Sequence, residues 1–156
     1  MGGRAQYPLL YNHRRMEIQE LKSEDELREA FPVMRELRSK VDEQEYFRLI
    51  EHMVKEGYRL FALRDSGVIV ALAGVAVLTN LSYGRYVWVY DLVTNSNARS
   101  KGYGRRLLEF VEEFAHQENC KVVALSSGLE RTSAHRFYEK HMNYEKPSYV
   151  FKKSLL

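Results

Sequence analysis

Arg99-Ser100-Lys101-Gly102-Tyr103-Gly104-Arg105-Arg106 is the stretch of this chain best suited to chemistry. It follows the apolar run Tyr86–Thr94 and opens the amphipathic stretch Gly102–Glu118. A helix starting here leaves its first N–H groups without intrahelical partners, and the helix dipole adds partial positive charge. A phosphate is the natural occupant of such a start. Gly102 and Gly104 carry no side chains to keep a ligand off the backbone, and they tolerate positive φ. Arg99, Lys101, Arg105 and Arg106 bring cations to the same point. A solvated basic turn that happens to contain two glycines would look the same locally. The dinucleotide fingerprint G-x-G-x-x-G is not completed, because Leu107 stands at its last position.

Two further residues could handle protons. Asp91 interrupts an apolar run, where an unpartnered carboxylate would be costly to bury. Tyr138 sits in a short helical pattern, where the ordinary role of a tyrosine is to pack its ring. Cys120 precedes an apolar run and reads as inert. No cysteine–histidine pairing suggests an activated nucleophile, and the five histidines lack ligand spacing, so no metal is expected.

The elements that must position these groups follow from periodicity. Met16–Leu21 alternates as a strand. Ser23 caps a helix that opens with Glu24, Asp25 and Glu26 and continues through Leu27, Phe31, Met34 and Leu37. Pro32 is expected to kink or split it. Asp42 opens a second helix through Tyr46, Phe47, Ile50 and Val54, stopped by Gly57. Tyr58–Arg64, the turn Asp65-Ser66-Gly67 and Val68–Leu78 read as a hairpin. Tyr86–Thr94 follows as another strand, then the Gly102–Glu118 helix, a strand at Lys121–Ser126, a helix at Thr132–Lys140 and a closing strand at Ser148–Lys153. The passage from Tyr86 through Ser126 is a β–α–β unit, so its strands should be parallel with a right-handed crossover. The expected class is α/β, a mixed sheet with helices on both faces.

At 156 residues, one domain is the default, with residues 1–15 as a loose arm or cloning remnant and residues 16–156 as the domain. With 45% hydrophobic and 29% charged residues the chain is globular rather than disordered. A net charge of +3 with cations gathered on one turn does not make a nucleic-acid face. One cysteine excludes an internal disulfide and fits a reducing compartment. No run approaches the roughly 20 apolar residues of a membrane helix, and residues 1–15 lack the apolar core of a signal peptide. The expected location is the cytoplasm.

The string R-x-x-G-x-G at Arg99–Gly104, after a strand ending in Leu92-Val93-Thr94, resembles the acyl-coenzyme A signature of the GNAT N-acetyltransferase superfamily. Ala134-His135-Arg136-Phe137-Tyr138 resembles the family's A-x-x-x-Y helix, and the likeness spans Met16 to Leu156. The resemblance implies a twisted mixed sheet whose central parallel strands splay apart around the pantetheine arm. It implies an N-acetyltransferase using acetyl-CoA, with backbone groups of Leu92, Val93 and Thr94 along the pantetheine. Arg99, Ser100, Lys101, Gly102, Tyr103, Gly104 and Arg105 would surround the pyrophosphate. One strand N–H would polarise the thioester oxygen, a contribution of roughly 2.7–4 kcal/mol. Tyr138 would be the acid for the departing thiolate. Many relatives carry an acidic pair at the positions of Tyr90 and Asp91; here the first is tyrosine, so Asp91 either serves as base or braces a loop. Arg131 stands where many relatives have asparagine, and Asn143 replaces the usual glycine of a left-handed helix end. The acceptor would be a small-molecule or peptide amine, and homodimers are common among relatives. A non-catalytic acyl-CoA sensor would share the phosphate grip but lack an acid–base pair.

Overall fold

The computed structural model describes residues 16–156. Contacts divide the chain into two units, one ending at Ala124 and the other spanning Leu125–Leu156.

The first unit holds β1 (Met16–Leu21), α1 (Glu24–Leu37), α2 (Glu43–Lys55), β2 (Arg59–Asp65), β3 (Val68–Asn80), β4 (Gly84–Thr94), α3 (Tyr103–Gln117) and most of β5 (Val122–Leu125). The strands lie in the order β1-β2-β3-β4-β5. The first four pair antiparallel, from Met16 opposite Asp65 to Asn80 opposite Gly84. β5 joins β4 through the α3 crossover, which makes the sheet mixed. The Lys121 N–H donates to the Arg85 carbonyl at 2.8 Å, so this pair meets at the starts of both strands. β5 has four residues and β4 eleven, so the sheet narrows before Leu92–Thr94.

The two-residue turn after β2 has Ser66 and Gly67 both at positive φ, the geometry that matches strand twist. Alternation along β2 sets the layers. Leu60 and Ala62 join the cluster under α1 and α2, with Phe31, Val33, Met34, Tyr46 and Ile50. Phe61 points the other way, its ring 5.0 Å from Phe110 and 5.6 Å from Phe114 of α3. Helices therefore cover both faces, as the sequence pattern requires.

Both α1 and α2 are capped by their own side chains. Ser23 and Glu26 form a reciprocal capping box, and the Asp42 carboxylate accepts from the Glu45 N–H at 2.8 Å. Of the kink or split expected at Pro32, the split does not occur: α1 runs through it. Phe31, Val33 and Met34, on either side of the proline, are buried, and their packing offsets the roughly 3 kcal/mol a mid-helix proline costs.

In the second unit α4 (Thr132–Arg136) is shorter than the expected Thr132–Lys140 helix and passes into a wide turn, Phe137–His141. The Met142 N–H reaches back five residues to the Phe137 carbonyl at 3.1 Å. Asn143 lies at φ 60°, the left-handed end expected of it, and the Tyr144 N–H donates to Tyr138 O at 2.8 Å. The expected closing strand at Ser148–Lys153 does not form. Residues 145–156 have no regular structure, and Tyr149, Val150 and Phe151 are exposed. Alternating side chains favour a strand, but a strand exists only where a partner backbone takes its hydrogen bonds. Among the described residues no helix is long and apolar enough to cross a membrane.

Candidate active site

The junction from β4 to α3 is built to expose backbone donors. β4 ends at Thr94, and Asn95 turns the chain, its N–H donating to Val70 O at 2.8 Å and its side chain accepting from the Asn97 N–H at 3.0 Å. The Ser96 N–H is held by the Glu36 carboxylate of α1. Ser100 and Gly102 both adopt positive φ, 66° and 79°. Gly102 is the N-cap of α3 and offers no side-chain cap, unlike Ser23 and Asp42. The first ladder bond is Arg106 N–H to Gly102 O at 3.1 Å, so the amides just before Arg106 have no helical carbonyl to meet.

Arg99, Ser100, Lys101 and Gly102 are exposed, and Gly104 is half-buried within the first turn in ordinary helical conformation. Gly102 alone of the two glycines uses its freedom of φ. Tyr103 is buried, its hydroxyl donating to the Asp65 carboxylate. Arg105 pairs with Glu109 at 2.9 Å, one turn along the helix, and Arg106 reaches the Met16 sulfur. Those two side chains are directed along the structure rather than over the turn. The donor set that remains, consecutive amides with Arg99 and Lys101 nearby, suits a diphosphate.

The second feature lies on the α1–α2 face of the sheet. Gly74 pairs with Asp91 and Val75 with Val89, so Tyr90 is an extra residue in β4, a β-bulge. The bulge directs consecutive side chains, Tyr90 and Asp91, to one side, where both line a cavity of about 210 Å³ between α1, α2 and β4. Most of its wall is apolar, with Phe31, Met34, Val41 and Ile50 among the lining residues.

Asp91 is the buried charged residue of the described core. Its Oδ1 accepts from Arg38 Nε at 2.8 Å, and its Oδ2 accepts from the Tyr58 hydroxyl at 2.7 Å. Arg38 also donates to the Tyr90 carbonyl at 2.7 Å, tying the α1 end to the bulge. Burial, then the charge of Asp91, raises the Tyr58 hydroxyl well above the usual tyrosine range, so it stays a donor. Tyr58 reaches Asp91 across Gly74: a methyl on Gly74 would overlap its hydroxyl. These partners fit the bracing role open to Asp91. A carboxylate has about four lone-pair sites, so two donors leave it able to accept more.

Tyr138, in the second unit, is buried on the wide turn Phe137–His141, its ring 5.4 Å from Phe137 and 6.1 Å from Tyr144. Burial raises its hydroxyl, and the Arg131 charge partly opposes that. Val93 is buried in the core cluster under α1 and α2, and Leu92 and Thr94, on the other side of β4, are half-buried.

Reading the sequence missed Arg38, Tyr58 and Gly74. Gly74 did carry a signal, since glycine inside a strand marks close approach of another group.

Comparison with known proteins identifies the family and the fold. The profile described as the acetyltransferase (GNAT) family matches residues 20–144. An uncharacterized N-acetyltransferase of Bacillus subtilis (strain 168) is 41% identical over 137 residues, 87% of this chain and 96% of that protein. The aminoalkylphosphonate N-acetyltransferase of Salmonella typhimurium is 31% identical over 99 residues, 63% of this chain and 62% of its own. The crystal structure of the aminoglycoside N-acetyltransferase AAC(6')-Iy in complex with CoA shares the fold, with a TM-score of 0.79 at 14% identity, over 95% of this chain and 100% of that one. By its sequence along most of its length, and by the sheet and helix junction that sequence folds into, this chain belongs to the acetyltransferase (GNAT) family.

Proposed function

We propose that this protein transfers an acetyl group from acetyl-CoA to a primary amine seated in the cavity between α1, α2 and β4. The observation that carries the reading is the start of α3: a fifteen-residue helix whose cap is a left-handed glycine without a side chain. The amides before Arg106, which meet no helical carbonyl, suit the pyrophosphate, with Gly104 keeping the first turn bare, the side chains of Arg99, Ser100 and Lys101 around it, and Tyr103 and Arg105 belonging to the same turn through their backbone. Bound acetyl-CoA would supply the thioester carbonyl carbon, where a nitrogen–carbon bond forms as the carbon–sulfur bond breaks.

The chain's own groups do the rest. Leu92, Val93 and Thr94 present backbone donors and acceptors along β4, beyond the reach of the short β5, and one N–H there would stabilise charge on the acyl oxygen. Asp91 lines the cavity and keeps lone pairs for the amine, so it would receive the amine proton directly or through water. Tyr138 would donate to the departing sulfur. Its raised hydroxyl keeps the proton at neutral pH, and because it is a weaker acid than a thiol of pKa about 8.5, its help is mainly a hydrogen bond to the developing thiolate. The enzyme would act in the cytoplasm as one domain over residues 16–156, alone or as a homodimer.

Gly104→Val tests the grip. Calorimetry with coenzyme A should show at least tenfold weaker binding, while the circular dichroism stays unchanged. Wild-type affinity in a folded variant would remove the α3 start from the cofactor site.

A further inference from the structure

The charges around the acceptor cavity are unbalanced toward the positive. Its charged lining residues are Arg35, Arg38 and Asp91. Asp91 is already neutralised by Arg38 and hydrogen-bonded by Tyr58. Among the described residues no ion pair engages Arg35, one turn before Arg38 on α1. The acids of α2 do not redress this. Glu43 pairs with Arg28, Glu45 with Arg48, and Glu51 with Lys55, and although the Glu43 charge bears on Tyr46, none of the three lines the cavity. Ser96 takes Glu36, and Glu56, which bears on Tyr90, is not part of the lining. The interior is otherwise apolar, and at about 210 Å³ it falls below the roughly 300–1,000 Å³ of sites for drug-sized ligands.

We infer that the acceptor is a small amine with an apolar body and an anionic group at its far end, and that Arg35 binds that group. A carboxylate or phosphonate there would gain a charge-assisted hydrogen bond, whereas a second ammonium would meet the like charge of the exposed Arg35 guanidinium at the rim. Polyamines and aminoglycosides are thereby disfavoured, and the small cavity disfavours peptides. The inference rests on the proposal that this cavity seats the acceptor.

Three amines of matched shape separate the possibilities: para-(aminomethyl)benzoate, para-(aminomethyl)benzamide and para-(aminomethyl)benzamidine. They share a benzylic amine and differ in the charge opposite it. Thiol release from acetyl-CoA should show kcat/KM about tenfold higher for the benzoate than for the amide, with the amidine lowest. Arg35→Glu should reverse the order. If turnover is too slow to measure, the same order should appear in Kd by calorimetry with coenzyme A present. A flat series, an amidine preference or no binding of any of the three overturns the inference. Met53→Trp, which narrows the cavity from α2, tells the two failures apart. If it raises KM or Kd for the amines while the series is flat, only the charge assignment falls; if no amine responds to it, the acceptor is not in this cavity.

Discussion

Gly74→Ala is the sharpest test of the cavity's construction. The added methyl would overlap the Tyr58 hydroxyl and come too close to two of its ring carbons. Tyr58 is 3% exposed, and its ring already meets Tyr90 edge-on at 5.4 Å, so it cannot slide aside freely. Two costs follow. Displacing the hydroxyl loses a hydrogen bond to a buried carboxylate, about 1.5–3 kcal/mol. Forcing an extra carbon into a packed core costs about 1–3 kcal/mol. Alanine recovers about 0.5–1 kcal/mol over glycine within a strand, which leaves a net loss of about 3 kcal/mol. At about 2–4 °C per kcal/mol for a chain of this size, the melting point should fall by about 10 °C. Urea unfolding followed by fluorescence is suited to the measurement, because the one tryptophan, Trp88, lies in β4 with Asp91. In a Tyr58→Leu background the obstructing ring is gone, and Gly74→Ala should then cost less than about 1 kcal/mol. An equal cost in both backgrounds, or a loss below about 1 kcal/mol in the wild type, would refute the packing argument.

Other perturbations address the chemistry and the second unit. Tyr138→Phe should lower kcat at least tenfold and leave coenzyme A affinity nearly unchanged; full turnover would take Tyr138 out of the mechanism. Burial raises the hydroxyls of Tyr46, Tyr58, Tyr90 and Tyr138 above their usual values. The folded chain therefore holds these protons more tightly than the unfolded chain, whose tyrosines titrate near about 10. That stability is fully present below about pH 10 and is lost as pH rises through the folded values. The urea midpoint should be lower at pH 11 than at pH 9, and by less in Tyr58→Phe; an unchanged midpoint would contradict the burial. Asn143 stands at φ 60°, so Asn143→Gly should be tolerated while Asn143→Val should cost about 1–2 kcal/mol by thermal melt. Equal melting points for those two variants would mean that the left-handed turn is not held.

The elements that were legible in the sequence are those whose causes are local. Ser23 and Asp42 announce their helices because a cap acts within three residues. The β2–β3 turn is legible because Ser66-Gly67 must supply the two positive φ values itself. Phe61 alternating with Leu60 and Ala62 marks two faces, since side chains of a strand alternate regardless of what covers them. The failures have non-local causes. Pro32 carries a breaking signal that the packing of Phe31, Val33 and Met34 overrides. Ser148–Lys153 has the right alternation, but pairing depends on a distant partner, about which the segment itself carries no information.

The candidate site divides the same way. The α3 start is legible because glycines, cations and strand end are consecutive, and the structure shows the uncapped, left-handed junction that those residues allow. The cavity is not, because its polar core joins Arg38, Tyr58, Gly74 and Asp91, with 53 and 33 positions separating Asp91 from its two donors. Register creates that proximity: Gly74 faces Asp91 only because Tyr90 is left over as a bulge, and a bulge is a property of two paired strands. Asp91 was visible as a carboxylate out of place, while Gly74, a gap in a valine- and alanine-rich strand, was passed over. Each is half of one arrangement, in which the missing side chain admits the hydroxyl that the buried charge needs. Burying a carboxylate requires donors, and donors require space. A lone acid and a lone glycine in neighbouring apolar runs of an antiparallel pair are therefore worth testing as partners before either is given a catalytic role.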